Sequence, residues 1–155
     1  MRDDKANLDQ NRSARQSAHQ DRVQIVDLMH DLESALAAPS VTRIEAWTRR
    51  VADQLGKLQT ALHASREEIH SNRGLFAEIV AECPWLLPRV EKLKPLYQKL
   101  EQQIVELQRE LDPSNPNVDQ LRHQLGQMLN SLRNVQATET ELIFEAIGLD
   151  LGVGD

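Results

Sequence analysis

The stretch that decides the fold is VEKLKPLYQKLEQQIVELQREL, residues 90–111. Val90, Leu93, Tyr97, Leu100, Ile104, Leu107 and Leu111 recur at alternating spacings of three and four, which stacks them on one face of an α-helix. Charged and amide residues fill the positions between them. A strand would require alternation by two over a much shorter run, so the segment reads as an amphipathic helix with one face to bury. Pro95 lies inside the pattern and predicts either a kink or a first helical turn.

Three further stripes share this period. The first comprises Ala18, Arg22, Ile25, Met29, Leu32 and Leu36, and Pro39 stops it. The second comprises Ile44, Trp47, Val51, Leu55, Leu58, Leu62, Ser65 and Ile69. Thr42 and Glu45 precede and open it with capping-box spacing, in which each side chain satisfies an orphan amide. It fades at His70–Gly74, where Gly74 reads as a left-handed helix cap. The fourth comprises Val118, Leu121, Leu125, Met128, Leu132, Val135, Glu139, Leu142 and Ala146. Asp112-Pro113 ends the third helix, and Asn115-Pro116 reads as the N-cap and first position of the fourth.

Four helices at about 14–38, 41–71, 88–112 and 116–147, joined by short links, predict an all-α fold: an antiparallel up-and-down four-helix bundle. A short extra helix over Leu75–Val80 is expected between helices 2 and 3, before the break at Cys83–Pro88. One long coiled coil competes, but Pro39, Gly74, Pro84, Pro88 and Pro113 cut the heptads into hairpin-sized pieces. Residues 1–13 are polar and predict a disordered lead-in. Residues 14–155 then form a single domain, and the Gly-rich 148–155 a tail over one bundle end.

Composition narrows the function classes. Hydrophobic residues make up 40% of the 155 but aromatics only 3%, so the core must be aliphatic. The 24 acidic against 18 basic residues give a net charge of −6, which argues against binding nucleic acid or an anionic membrane. No apolar run reaches the roughly 20 residues of a membrane span. The polar N-terminus lacks the apolar stretch of a signal peptide, and one cysteine, Cys83, permits no intrachain disulfide, so a cytoplasmic location is expected. Cys83 itself reads as a small buried hydrophobe. No P-loop, dinucleotide fingerprint or Ser/His/Asp grouping is present.

Each stripe carries one polar intruder: Arg22, Ser65, Tyr97 and Glu139. An unpaired charge in a core is costly, so Arg22 and Glu139 must pair, reach solvent or bind something. Three readings follow: unrelated edge positions, a polar core layer with Arg22 paired to Glu139 and Tyr97 bonded nearby, or a metal or ligand site. His63, Glu67 and His70 share a second face at i, i+4 and i+7, a spacing that suits metal ligands and equally suits a solvated surface.

The run Gly74-Leu75-Phe76-Ala77-Glu78-Ile79-Val80, then Pro84, then Val90-Glu91-Lys92-Leu93, with the ending Leu132–Glu145, resembles bacterial hemerythrin-like domains over residues 18–155. The resemblance implies a four-helix bundle with a non-haem di-iron centre, held by histidines from all four helices and two bridging carboxylates. The matching positions depart from that pattern. Tyr97 stands at the third-helix histidine position and Val135 at the fourth, with Glu139 kept one turn later, and Arg22 stands at the first. On the second helix, alignment through Gly74 selects Ser65 with His70 near the carboxylate position, whereas alignment on His-x-x-x-Glu selects His63 and Glu67. The resemblance therefore implies a domain whose iron site is largely lost, with no cofactor, acting as a structural or protein-interaction module that meets a protein partner or its own copies. The alternative is an altered non-haem iron site for oxygen or redox sensing, using His63, Glu67, His70 and Glu139. A catalytic di-iron enzyme is not expected, because Glu67–His70 is the one Glu-x-x-His pair and two are needed.

Overall fold

A computed structural model describes residues 2–37, 44–111 and 117–152. The elements are α1 (Arg2–Ala37), α2 (Ile44–His70), α3 (Leu75–Glu82), a 3₁₀ turn (Pro84–Leu86), α4 (Leu87–Glu91), α5 (Leu93–Glu110) and α6 (Val118–Gly152). The described residues contain no strand, so the fold is all-α. Four long helices make the core: α1 packs on α2, α2 on α5, α5 on α6, and α6 back on α1.

The stripes are the buried faces. In α4 and α5, Val90, Leu93, Tyr97, Leu100, Ile104 and Leu107 are all buried, and Leu111 packs at the edge. In α2, Trp47 to Ile69 of the stripe are buried while Ile44 is exposed. In α6 the row from Leu121 to Ala146 is buried, Val135 and Glu139 included. Leu28, Ala35, Ala61 and Leu129 are buried too, widening each two-residue seam to the broader stripe of a packed helix. Each fully buried Leu contributes about 1.5–3 kcal/mol relative to an exposed one. The Trp47 Nε1–H donates to the Ala35 carbonyl at 2.7 Å and the Arg122 guanidinium lies 5.8 Å over its ring, so one indole joins α1, α2 and α6.

Helix ends differ from the expectation at several points. Residues 2–13 are helical, continuing α1 rather than leading into it. They contain no Gly or Pro, and a polar helix needs no core contact to persist when a packed helix nucleates it. Residues 148–152 likewise continue α6. The helix expected over 88–112 is divided: α4 closes at Glu91 and α5 opens at Leu93, which puts Pro95 in the first turn, where its missing N–H breaks no helical bond.

Asn117 caps the start of α6. Its Oδ1 accepts from the Gln120 backbone N–H at 3.3 Å, and its Nδ2 donates to the Gln120 side chain at 3.3 Å. Gly74 is not left-handed. It has φ −84° and ψ 176°, and it caps the start of α3. Glycine is required there for closeness, because a Cβ would stand 2.7 Å from the Glu68 carbonyl oxygen. The Thr42 capping box and the breaks at Pro39, Asp112-Pro113 and Asn115-Pro116 lie outside the described residues.

Candidate functional site

The four polar intruders meet. Arg22 comes from α1, Ser65 from α2, Tyr97 from α5 and Glu139 from α6, each delivered inward by the period that delivers the leucines around it. Tyr97 is 2% exposed and Glu139 5%. The Tyr97 hydroxyl donates to Glu139 Oε1, and buried Ser65 lies beside the Tyr97 oxygen. The Arg22 guanidinium donates to Glu139 Oε2 at 3.5 Å, with its own side chain 30% exposed. Both carboxylate oxygens of Glu139 are therefore engaged by the protein itself. One turn before Glu139, buried Val135 offers only apolar surface.

Burial pushes the Glu139 carboxyl above the ordinary carboxylate range, and the Tyr97 hydrogen bond and Arg22 charge pull it only part of the way back. Tyr97 is pushed far above the ordinary phenol range, first by burial and then by the adjacent carboxylate, so it remains a donor at every physiological pH. Glu68 joins the layer from α2. Burial raises its carboxyl, Asp21 raises it further, and the Leu75 backbone amide and Arg22 act in the opposite direction. Sequence reasoning missed this residue, although it lies three positions after Ser65 and so on the same helix face. The Arg22 charge thus acts on both Glu139 and Glu68.

The second candidate set does not assemble. His63 and Glu67 are 59% and 65% exposed on the outer face of α2, 3.9 Å apart, and His70 is exposed beyond them. His63 faces Arg66 and Glu101, which pair with each other at 2.7 Å. They line an open groove of about 600 Å³ between α2 and α5, with Gln59, Gln98 and Gln102. Glu139 belongs to the buried layer, so His63, Glu67, His70 and Glu139 do not converge. Among the described residues no three His, Cys, Asp or Glu side chains form a metal-holding group.

The residues present do not fit an iron centre at the inner positions. A guanidinium is protonated at all working pH values and cannot ligate, Val135 has no donor atom, and Glu139 has no oxygen unengaged. No family model, curated protein or solved structure matches the chain. No helix among the described residues is long and apolar enough to cross a membrane.

Proposed function

We propose that this chain is an antiparallel up-and-down four-helix bundle, hemerythrin-like in plan, that serves as a structural or protein-interaction module rather than an oxygen-binding or catalytic one. Contacts running in opposite directions support the topology. Between α2 and α5, Gln59 meets Gln108 while Arg66 meets Glu101. Between α1 and α6, Glu33 meets Arg133 while Arg22 meets Glu139. Tyr97 meets Glu139, and Arg89, earlier in the chain, meets Glu145 later in α6.

The observation that carries the functional reading is the engagement of both Glu139 oxygens by Tyr97 and Arg22. Where an iron-binding bundle offers open carboxylate and imidazole lone pairs, this one offers a closed donor–acceptor chain that locks four helices in register. Cys83, a buried thiol in no disulfide, suits a cytoplasmic setting, where thiols stay reduced. Metal analysis and a visible spectrum test the reading on protein expressed with iron and purified without chelator. The expected result is a cooperatively folded chain without stoichiometric iron. Two irons per chain with oxo-bridge absorption would overturn it and return an oxygen- or redox-sensing iron site to first place.

A further inference from the structure

Six large hydrophobic side chains are exposed among the described residues, and four of them gather at one end of the molecule. Trp85 and Leu87 project from the 3₁₀ turn and α4, and Phe144 and Ile147 from the last turns of α6. The Arg89–Glu145 ion pair ties these two segments together. Phe144 is 72% exposed and Trp85 61%, a heavy solvent cost for a chain with so few aromatic residues. Scattered exposed hydrophobics need no explanation, but four at one end, two of them aromatic, do.

The charges around this end divide by segment. The α4 side carries Arg89 and, one turn on, Lys92, with Glu91 between them neutralised by Lys94 at 3.0 Å; the α6 side carries Glu145 and, one turn back, Glu141. Lys92 and Glu141 are both exposed and have no partner among the described residues. A surface with an aromatic centre, a basic edge and an acidic edge is complementary to itself under a two-fold rotation. The rotation lays the basic edge of one copy on the acidic edge of the other.

We infer that the end bearing Trp85, Leu87, Phe144 and Ile147 is the contact face of a two-fold dimer of this chain, with Lys92 of one copy pairing with Glu141 of the other. The inference rests on the interaction-module reading above and supplies its partner.

Sedimentation equilibrium of the full chain tests it. The expected mass is twice the 17.6 kDa of one chain. Phe144→Glu with Ile147→Glu should weaken association at least roughly thirtyfold, as the loss of central anchors does. The substituted side chains are exposed, so circular dichroism and the melting transition should stay unchanged. Lys92→Glu should weaken the dimer, and adding Glu141→Lys to the same chain should restore it. A single-chain mass up to about 1 mM overturns the proposal, as does a dimer indifferent to the Phe144/Ile147 variant or a charge swap without rescue. A chain that stays single yet binds another protein through this end also overturns it. Stoichiometric iron would instead refute the underlying reading, whatever the mass, so the two failures are distinguishable.

Discussion

Replacing Arg22 by methionine keeps the aliphatic stem and removes the one cation of the polar layer. Its guanidinium lies 3.5 Å from Glu139, an attraction of about 5 kcal/mol at an effective dielectric near 20. Arg22 is partly exposed, and solvent screening reduces the net contribution to about 1–2 kcal/mol. Glu139 also limits the loss by taking up a proton, because burial has already raised its carboxyl above the ordinary 4.5. A raised folded value means that the native state holds the proton more tightly than the unfolded chain. The associated stability is complete below about 4.5 and declines as pH rises through the folded value. Removing Arg22 moves that folded value higher still, and Glu68 moves in the same direction. The Arg22→Met penalty should therefore be near zero at pH 4 and grow to about 1–2 kcal/mol at pH 8. Urea titrations followed by circular dichroism at the two pH values measure it directly. Adding Glu139→Gln should remove most of the pH-dependent part. A penalty of equal size at both pH values would refute the electrostatic reasoning and leave only lost packing.

Tyr97→Phe strands Glu139 Oε1 in the core and should cost about 1–3 kcal/mol in urea unfolding, far more than a surface hydroxyl. Gly74→Ala should lower stability by about 1–3 kcal/mol in a thermal melt, because the new Cβ meets the Glu68 carbonyl at 2.7 Å, although the backbone angles suit alanine. Leu100→Ala, at a side chain with no exposed surface, should cost about 2–5 kcal/mol by the same assay. Replacing the layer together, as Arg22→Met, Ser65→Ala, Tyr97→Phe and Glu139→Leu, should leave stability unchanged or raise it by about 1–4 kcal/mol, since no buried polar atom of the four is then orphaned.

The four long helices and their inner faces were legible because burial imposes a period, and the period survives in every stripe from Ile25 to Ala146. The polar layer was legible for the same reason: Arg22, Ser65, Tyr97 and Glu139 interrupt rows that are otherwise aliphatic. What the period cannot report is structure outside the core. Residues 2–13 and 148–152 carry no regular apolar stripe in their sequence, so their helicity left no periodic signature. Gly74 carried a true signal with the wrong cause, since a glycine needed for close approach looks in sequence like one needed for positive φ. His63, Glu67 and His70 had ligand-like spacing, but spacing fixes a face of the helix without saying whether the face turns inward; here it turns to solvent. Glu68, adjacent to Glu67, turns the other way and joins the layer.

A core built mostly from leucine, isoleucine and valine has a weakness that bears on why such a layer persists. Leucine stripes offer nearly equivalent packing when one helix slides by a heptad, a displacement of about 10 Å along its axis. Apolar contacts alone separate these registers poorly. Tyr97, Glu139, Arg22 and Ser65 separate them sharply, because each comes from a different long helix and all are satisfied together. A slip of α1, α5 or α6 would strand a buried carboxylate, a phenol or both, at a cost of several kcal/mol. On the reading proposed here, the layer adds little net stability and instead removes competing states. The quadruple replacement can therefore be as stable as the native chain yet less uniquely packed, which would appear as broadened side-chain methyl resonances in an NMR spectrum recorded well below the melting temperature.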